Sequence, residues 1–338
     1  MKPKIALICG GKSAEHEISC LSALGIYDAI DRSRFDVSLF GITASGKGFV
    51  PLRGIDDFHR DGHGMPIVPE DAKRQDLPSG IDLLFPALHG SHGEDGVFQG
   101  FAEFLGINYL GSGVLASALA MDKVRAKQIF ASVGLEVAKG RALRSVDEAE
   151  GLDLDYPLFV KPSCGGSSRG TTKVKSRSEV TPAITEALKY DSVALIEEAV
   201  VGREVECAIL QVDGEVRSSI VGEIRVLGGR DFYDYEAKYL DSATEFLIPA
   251  PIDPSVQERI RSAAMTAFKA LGCEGLARVD FFLCDDGSLV INELNTMPGF
   301  TPKSVFPMLW KASGQTYSEL ITLMIEEALR NPKVESKK

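Results

Sequence analysis

The stretch Leu289–Ser304, LVINELNTMPGFTPKS, runs from an apolar strand into polar side chains and then a turn. The alternation of a strand, counted from Ile291, sends Glu293 and Asn295 to one face. Carboxylate and amide oxygens side by side suit Mg²⁺, which usually shares its ligand shell between one or two carboxylates and the phosphates of a nucleotide. The stretch therefore predicts either part of a magnesium and phosphate site or an ordinary hairpin strand with solvated polar groups.

Asp280 offers a further oxygen ligand. It lies near the end of the preceding apolar strand, 275–282, and the turn DDG at 285–287 separates that strand from the next one. Because Asp-Gly turns join antiparallel strands, the two strands are expected to pair as a hairpin. Such a hairpin would bring Asp280 together with Glu293 and Asn295.

The composition is that of a soluble globular protein with a net negative charge. At 338 residues, 44% hydrophobic and 25% charged, the chain can hold two or three domains. Lys and Arg number 37 against 48 Asp and Glu, and the net charge of −11 disfavours nucleic acid or an anionic membrane as the main partner. The chain starts with a short strand rather than a signal peptide, and no apolar run approaches membrane-spanning length. We therefore expect a cytoplasmic protein without a membrane partner.

The 6 cysteines show no C-x-x-C spacing. All but Cys164 lie in apolar strand or helix contexts, which predicts reduced and mostly buried thiols and does not indicate a structural zinc site. The other cysteines are Cys9, Cys20, Cys207, Cys273 and Cys284.

The first part of the chain has the pattern of a small α/β unit. An apolar strand at 4–9 is followed by a glycine turn and a helix at 14–30, with Ser13 as the predicted N-cap. The turn lacks the G-x-G-x-x-G spacing, which disfavours dinucleotide binding. Further strands at 35–42 and 81–87 and helices at 95–105 and near Ser112 complete the unit.

A glycine-rich loop at 88–96, LHGSHGEDG, follows the last of these strands. Open α/β sheets bind ligands at the carboxyl ends of their strands. His89 is therefore either a ligand-binding group or a loop histidine that only hydrogen-bonds to backbone.

A second module begins with a helix from Met121 to Val133, which is expected to end at Gly134. Its strands are predicted at 137–143, 157–161, 171–175 and 193–198, and further helices near Val146 and at 180–189.

The segment Lys161–Gly170, KPSCGGSSRG, is a hydroxyl-rich turn between two of these strands. Its backbone N–H groups and serine hydroxyls can bind phosphates while Lys161 supplies charge. The segment is not a Walker motif, and a surface linker is the alternative interpretation.

A third module begins with a strand at 204–212, in which apolar side chains alternate with Glu204 and Glu206. The segment 226–246 is long, aromatic and charged without a clear period, which is typical of a lid rather than of a disordered insertion. Helices are predicted at 254–271, 305–310 and 317–329.

Six motifs, in order along nearly the whole chain, resemble those of the D-alanine–D-alanine ligase family. They are Gly10–Glu17, His89–Gly96, Met121–Lys123, Lys161–Gly170, Tyr233–Tyr239 and Asn292–Ser304. The resemblance implies a mixed α/β and α+β protein with the ATP-grasp fold. Its expected parts are an N-terminal parallel α/β domain at 1–112, a small central ATP-clamp domain at 113–199 and a C-terminal catalytic domain at 200–338 with a lid loop at 227–245.

The resemblance also implies which residues bind metal and ATP. Asp280, Glu293 and Asn295 match the family's ligands for two Mg²⁺ ions, for which Mn²⁺ can substitute, and ATP is the co-substrate. Arg278 and the backbone N–H of Gly299 match the groups that stabilise the transferred phosphoryl group and the developing oxyanion. The matching ATP-binding residues are Lys123, Lys161, Ser168, Glu197, Glu198, Val200, Glu204 and Lys238.

Further matches concern the amino-acid substrates. Glu15 matches the residue that faces the ammonium group of the first D-alanine, whose pocket His89 would line. Ser304 matches the residue at the carboxylate of the second D-alanine. Ser167 and Tyr239 would link Glu15 to the closed lid by hydrogen bonds.

The implied activity is ATP-dependent ligation of two D-alanine molecules through an acyl phosphate, giving D-alanyl-D-alanine for peptidoglycan synthesis, in a protein that by family habit is a homodimer. D-alanine–D-serine and D-alanine–D-lactate ligases and other ATP-grasp carboxylate ligases stay open, although Tyr233–Tyr239 favours a dipeptide product. A non-catalytic ATP-binding regulator is disfavoured because nucleotide binding alone does not need a complete transfer site.

The glycine-rich turn departs from many relatives. Cys164-Gly165-Gly166 replaces bulkier or charged residues, and Arg169 replaces a small apolar one. We hypothesise that Arg169 adds a contact to a phosphate or to the lid.

Overall fold

The computed structural model describes residues 1–226 and 244–334. The helices are α1 His16–Ala29, α2 Val97–Leu105, α3 Val114–Met121, α4 Lys123–Ser132, α5 Arg177–Ala187, α6 Pro254–Ala270, α7 Val305–Ala312 and α8 Tyr317–Arg330. The strands are β1 Lys4–Gly10, β2 Asp36–Ile42, β3 Phe49–Leu52, β4 His59–Arg60, β5 Pro66–Ile67, β6 Leu83–Pro86, β7 Glu136–Val137, β8 Gly140–Leu143, β9 Leu158–Pro162, β10 Thr172–Val174, β11 Ala194–Glu198, β12 Arg203–Val212, β13 Glu215–Val226, β14 Thr244–Leu247, β15 Leu276–Leu283 and β16 Leu289–Asn295. Within the described ranges, no helix is long and apolar enough to cross a membrane.

The N-terminal sheet has the strand order β3-β2-β1-β6. Strand β1 pairs in parallel with β2 and β6, and all its residues after Lys4 are buried, as expected for a central parallel strand. The predicted parallel α/β unit is therefore confirmed. The antiparallel edge strand β3 was not predicted, because it is short and contains Pro51, which sheets tolerate at their edges.

The central part of the chain forms a small antiparallel sheet in the order β10-β9-β11-β8. Helix α5 packs against it, and its buried side chains share one core with those of β9 and β11. The glycine-rich turn leaves this sheet between β9 and β10. The single strand predicted at 137–143 is wrong, because β8 belongs to this sheet whereas β7 pairs with β16 in the next one.

The C-terminal sheet is the largest and has the order β14-β13-β12-β15-β16-β7. Its pairings are antiparallel except for that of β16 with β7. Helices α3, α4 and α6 cover one face, and α7 and α8 cover the other, where they join the core of the N-terminal sheet. Strand β13 was not predicted, since its sequence EVRSSIVGEIRV lacks an even alternation.

The hydrophobic cores can be compared with the predicted domain boundaries. Helices α3 and α4 pack with the C-terminal sheet, whereas the core of the small sheet extends from Leu143 to Ile196. The division into 1–112, 113–199 and 200–338 stays a prediction, and most of the lid loop predicted at 227–245 lies outside the described residues.

The first helix begins later than expected. Glu15, not Ser13, occupies the N-cap position of α1, and no side chain caps the helix there. The Ser13 hydroxyl instead accepts a hydrogen bond from the backbone N–H of Glu15 at 3.1 Å. The predicted N-cap is therefore wrong by two residues, because a loop between β1 and α1 extends further than the glycine turn.

All 6 cysteines are free thiols. Cys9, Cys20, Cys207 and Cys273 are buried, Cys284 is half-buried and Cys164 is exposed. The prediction of reduced, mostly buried thiols is confirmed.

Candidate active site

A cleft of about 820 Å³ is lined by parts of the N-terminal, central and C-terminal regions. Every predicted site residue that the structure describes lines this cleft. These residues are Glu15, His89, Lys123, Lys161, Ser167, Ser168, Glu197, Glu198, Val200, Glu204, Arg278, Asp280, Glu293, Asn295, Gly299 and Ser304. Lys238 and Tyr239, which were also predicted, lie outside the described residues.

The hairpin β15-β16 carries the candidate metal ligands. Asp280 pairs with Glu293 and Arg278 with Asn295 across two antiparallel strands, so that the four side chains share one face. The carboxamide Nδ2 of Asn295 donates to Asp280 Oδ2 at 3.1 Å. The predicted hairpin is confirmed, and it brings the three candidate ligands together.

A β-bulge interrupts this hairpin. Phe281 pairs with Ile291 and Asp280 with Glu293, which leaves Asn292 as an extra residue. Ile291 is completely buried and lies on the opposite face from Glu293. The alternation counted from Ile291 is therefore wrong, although the two candidate ligands on β16 do share a face.

Arg278 is held between two carboxylates. Its Nε and Nη2 atoms donate to Asp280 Oδ1 and Oδ2 at 2.8 and 2.7 Å, and Nε lies 2.9 Å from Oε2 of Glu206 on β12. Burial by itself lowers the pKa of Arg278, but the charges of Asp280 and Glu206 raise it well above its ordinary value. A permanently charged guanidinium is thus fixed at the cleft.

Glu206 was not predicted as a site residue. The alternation of β12 had already placed it beside Glu204 on the polar side of the strand. Its position opposite Asp280 depends on the pairing of β12 with β15, which no local pattern reveals.

The donor set of the hairpin suits Mg²⁺. Asp280, Glu293 and Asn295 offer only oxygen ligands of the kind that this cation prefers. Among the described residues, no group of three His, Cys, Asp or Glu side chains that could hold a metal ion is formed. Two carboxylates and one carboxamide therefore fit an ion that takes the rest of its shell from phosphates and water.

A buried carboxylate joins two lysines deeper in the cleft. Glu197 Oε1 lies 2.5 Å from Lys161 Nζ, and Oε2 lies 2.8 Å from Lys127 Nζ. Burial raises the pKa of Glu197, but the charges of Lys161 and Lys127 outweigh burial and bring it to about 2. The cluster of one anion and two cations retains one positive charge, which suits a phosphate or another anion.

Lys127 was missed by the sequence analysis. It lies four residues after Lys123, so that both side chains leave the same face of α4 and line the cleft. This spacing of four residues is the feature of the sequence that could have indicated Lys127 as a site residue. Burial lowers the pKa of Lys127, although Glu197 opposes that effect.

The start of α4 is bound to the glycine-rich turn. Asp122 caps the helix and accepts from the hydroxyl of Ser163 at 2.6 Å. The Lys123 ammonium donates to the carbonyl of Gly165 at 2.8 Å and lies 3.5 Å from Glu293. Lys123 therefore connects the turn to the candidate metal ligands.

The same turn folds over Glu15. The hydroxyl of Ser167 donates to Glu15 Oε1, which is the hydrogen bond that was predicted. Ser167 and Ser168 both adopt left-handed backbone conformations, with φ of 51° and 56°. A Cβ on Gly166 would lie 3.0 Å from Glu15 Oε2, and one on Gly90 would lie 2.8 Å from it. The buried carboxylate is thus enclosed between two glycine loops.

Glu94 is a second acidic group at this end of the cleft, and it was not predicted. Its Oε1 accepts from the backbone N–H of Gly90 at 2.7 Å. Burial, followed by the charge of Glu15, raises the pKa of Glu94 to about 8. The loop 88–96 thus contributes a carboxyl group that keeps its proton at neutral pH.

His89 lines the cleft and hydrogen-bonds to one backbone group and one side chain, so it is not a histidine that bonds only to backbone. Its ligand-binding role stays a prediction. Its Nδ1 lies 2.9 Å from the carbonyl oxygen of Met297, and its Nε2 lies 2.9 Å from Ser22 Oγ. Burial lowers the pKa of His89. The ring therefore connects the N-terminal region to the turn after β16.

That turn places Gly299 beside Ser304. A Cβ on Gly299 would lie 3.2 Å from Ser304 Oγ. Ser304 occupies the N-cap position of α7, and its hydroxyl accepts from the backbone N–H of Thr301 at 3.0 Å. The N-terminus of a helix favours anions, so this corner of the cleft suits a carboxylate.

Two further residues that match the family's ATP-binding residues line the cleft. Val200 lies between β11 and β12, and Glu204 lies near the start of β12. Glu198 also lines the cleft, but its Oε1 accepts from the backbone N–H of Asp155 at 3.0 Å and lies 3.5 Å from Lys139. The side chain of Glu198 is thereby tied to the central sheet.

Comparison with known proteins agrees with this arrangement. Two family models match the chain, described as the N-terminus of D-ala D-ala ligase at residues 4–112 and its C-terminus at residues 129–326. A D-alanine–D-alanine ligase of Oceanobacillus iheyensis is 44% identical, over 97% of this chain and 96% of the relative. The solved structure of the VanG D-Ala:D-Ser ligase from Enterococcus faecalis matches with a TM-score of 0.83 and 36% identity, over 97% of this chain and 100% of that one.

A solved D-alanine–D-alanine ligase from Coxiella burnetii matches with a TM-score of 0.80 and 31% identity, over 97% of this chain and 94% of that one. The predicted ATP-grasp architecture, with its mixed α/β and α+β sheets, is confirmed by these structural matches. The chain belongs to the D-alanine–D-alanine ligase family.

Proposed function

We propose that the protein joins two D-alanine molecules at the expense of ATP, giving D-alanyl-D-alanine, ADP and phosphate for peptidoglycan precursor synthesis. The proposal rests mainly on one observation: the Arg278–Asp280 pair and the buried Glu15 line the same cleft. The cleft therefore offers a phosphoryl-transfer end and an amino-acid end in a continuous space. Family membership supports the same activity.

At the phosphoryl-transfer end, cations surround the expected position of the nucleotide phosphates. Lys161 comes from the small central sheet, Lys123 from the start of α4, and Arg278 from the C-terminal hairpin. Phosphoryl transfer depends mainly on positioning and on neutralising charge, which these groups supply. We place the γ-phosphoryl group near Arg278 and assign Lys238 of the predicted lid to the same group, as the family resemblance implies.

We propose that Asp280, Glu293 and Asn295 hold two Mg²⁺ ions together with the nucleotide phosphates, and that Mn²⁺ can substitute. When bound, Mg²⁺ neutralises phosphate charge and helps align the transferred group. The oxygen-only donor set on one face of the hairpin supports this assignment. Arg278 and Lys123 hold Asp280 and Glu293 in place from either side.

The chemistry requires an activated carboxyl group. A carboxylate oxygen of the first D-alanine attacks the γ-phosphorus, and the bond to ADP breaks. The ammonium group of the second D-alanine loses one proton to water, and the resulting amine attacks the carbonyl carbon to give a tetrahedral oxyanion. The carbonyl then re-forms as the C–O bond to phosphate breaks, and the amide nitrogen loses its extra proton to water. We assign the stabilisation of this oxyanion to Arg278 and the N–H of Gly299, which both line the cleft. One such donor is typically worth ~3 kcal/mol in catalysis.

The two amino acids need opposite charges from the protein. We assign the ammonium group of the first D-alanine to Glu15, which Ser167 orients, and place His89 along its pocket. We assign the carboxylate of the second D-alanine to Ser304 at the N-terminus of α7. Tyr239 is expected to complete the link from Ser167 and Glu15 to the lid at 227–245.

An acyl phosphate also reacts with water, so a lid has a direct chemical purpose. D-Serine is the strongest alternative acceptor, since one structural neighbour is a D-Ala:D-Ser ligase at 36% identity. The relative at 44% identity, a D-alanine–D-alanine ligase, favours D-alanine.

A homodimer in the cytoplasm is part of the proposal. Helices α2 and α3 present an apolar surface, on which Phe104 is 88% and Leu115 is 71% exposed. Such an exposed apolar patch is typical of a protein interface. Phe104→Glu is expected to give monomers in sedimentation analysis, and an unchanged dimer would contradict this choice of surface.

The experiment that tests the function uses purified protein with ATP and Mg²⁺. ADP release and product mass are measured with D-alanine alone, with D-serine, D-lactate or L-alanine alone, and with D-alanine together with D-serine or D-lactate, each with and without a chelator. We expect ADP release only where D-alanine is present and D-alanyl-D-alanine as the main product, and a main product that contains D-serine or D-lactate would identify that acceptor instead. No ADP release with D-alanine would contradict the proposal.

A further inference from the structure

Ser22 lies on α1 and is completely buried, yet it does not line the cleft. Its Oγ lies 2.9 Å from His89 Nε2, and the backbone N–H of Phe300 donates to the same Oγ at 3.3 Å. A serine inside a helix often bonds to a carbonyl of its own helix. This hydroxyl instead joins two segments that are distant in sequence, the loop after β6 and the turn after β16.

The direction of these hydrogen bonds follows from their partners. The carbonyl of Met297 can only accept, so the Nδ1 of His89, 2.9 Å away, carries the proton. In the neutral ring, Nε2 is then an acceptor, and the Ser22 hydroxyl must donate to it. The oxygen of Ser22 remains available to accept from Phe300. Burial lowers the pKa of His89, which agrees with a neutral ring.

The two ends of this hydrogen-bond chain enclose the turn 297–300. Its first carbonyl, on Met297, and its last N–H, on Phe300, are both bound, and Gly299 lies between them. The hydroxyl of Tyr317 on α8 also donates to the carbonyl of Phe300 at 2.5 Å. The backbone of the turn is therefore held from both sides.

Helix α1 packs directly on the segment after this turn. A Cβ on Gly25 would lie 2.9 Å from Pro302. The same helix carries Glu15 at its start. Ser22 thus joins the element that carries Glu15 to the turn that carries Gly299.

We propose that Ser22 is a positioning residue that acts through His89 and Phe300 to fix the N–H of Gly299 relative to the substrate bound at Glu15. The role in catalysis rests on the function proposed above. Because Ser22 does not line the cleft, any effect on turnover must pass through the residues that it holds. The nucleotide end, around Lys161 and Glu197, is not part of this hydrogen-bond chain.

Ser22→Ala removes the hydroxyl and leaves His89 Nε2 and the Phe300 N–H without this partner. We expect kcat for dipeptide formation to fall about tenfold or more, because an oxyanion donor that is slightly misplaced loses much of its effect. The KM for ATP is expected to change by less than about twofold, since this value is set at the other end. Ser22→Cys keeps a donor at this position, although the thiol is larger and donates more weakly than the hydroxyl. Its kcat is expected to lie between those of the wild type and Ser22→Ala.

Ser19 provides the matched control. It is also completely buried on α1, but its hydroxyl donates to the carbonyl of Ala87 at 2.5 Å and accepts from Gly10 at 2.7 Å. Ser19→Ala is expected to lower the melting temperature by about as much as Ser22→Ala does, while its kcat stays near that of the wild type. A kcat for Ser22→Ala no lower than that for Ser19→Ala would overturn the proposal.

Hydrogen exchange provides a measurement that does not depend on turnover. The amides of 297–304 are expected to exchange faster in Ser22→Ala and in Ser22→Cys than in the wild type, and to be unchanged in Ser19→Ala. Equal exchange in all variants would overturn the positioning role even if the protein proved to have another activity. Loss of ADP release with D-alanine in the wild type, together with faster exchange in Ser22→Ala, would contradict the proposed function alone.

Discussion

Lys127 Nζ lies 2.8 Å from one oxygen of Glu197, while Lys161 Nζ lies 2.5 Å from the other. Both lysines and the carboxylate are almost fully enclosed, with side-chain exposures of 6 to 12%. A buried carboxylate paired with one lysine would cancel its charge. The second lysine therefore leaves a positive charge available to the nucleotide.

Lys127→Gln is expected to raise the KM for ATP about tenfold, because Glu197 would then neutralise Lys161. The nucleotide would lose a charge-assisted hydrogen bond, which typically contributes ~1.5–3 kcal/mol. The measurement is steady-state kinetics with ATP varied at saturating D-alanine. Arg125→Gln makes the same charge change on the exposed side of α4 and should leave the KM for ATP unchanged. Equal values for the two variants would contradict the electrostatic argument.

Glu206→Gln is expected to raise the Mg²⁺ concentration needed for half-maximal activity several-fold. Arg278 is shared by Glu206 and Asp280, so loss of one carboxylate charge strengthens the pull of Arg278 on the other. Asp280 would then be less available to a cation. The activity is measured as a function of Mg²⁺ concentration at fixed ATP.

The control for this variant is Glu223→Gln. Glu223 is equally buried among arginines on the neighbouring strand β13, but it does not line the cleft. Its substitution should lower stability without changing the Mg²⁺ dependence. A shift of the same size in both variants would show that buried charge alone accounts for the effect.

Gly166→Ala is expected to lower kcat/KM for the first D-alanine several-fold, because the new Cβ would lie 3.0 Å from Glu15 Oε2 and force the carboxylate or the turn to move. Neither Gly166 nor Gly62 has a positive φ, and a Cβ on Gly62 would meet nothing within 4 Å. Gly62→Ala is therefore the control, and it should retain full activity. Unchanged use of D-alanine by Gly166→Ala would argue against close packing on Glu15.

The local patterns predicted the hairpin β15-β16 because the turn at 285–287 and the flanking apolar residues act over a short range. They did not predict the bulge at Asn292, which depends on how two strands register. The same reason explains why Lys127 and Glu206 were missed. Each carries a charge whose importance becomes apparent only when a second segment buries it.

Strand β13 shows the same limit at the level of the fold. Its sequence mixes charged and small residues, and it becomes a strand because β12 and β14 pair with it on either side. Tertiary pairing thus determines what local propensity leaves open. The resemblance to a family located more of the site than composition or periodicity did, since motif order carries information about contacts between distant segments.

Glu94→Gln is expected to stabilise the protein increasingly as pH rises from about 5 to 8. The pKa of Glu94 is raised from 4.5 to about 8, so within this interval the folded protein keeps a proton that the unfolded chain has released. The stability of the wild type therefore falls as pH rises through the interval and levels off above it. Gln cannot ionise, and its carbonyl can still accept from the N–H of Gly90, as Glu94 does.

The melting temperatures of wild type and Glu94→Gln should therefore agree near pH 5 and diverge toward pH 8, with the variant higher. Glu150→Gln, at an exposed position, is the control and should give a difference that does not grow over this range. A constant difference for Glu94→Gln would mean that Glu94 is already ionised in the folded protein at pH 5. The same measurement at higher salt should reduce the divergence only partly, because burial, which salt does not screen, is the largest cause of the shift.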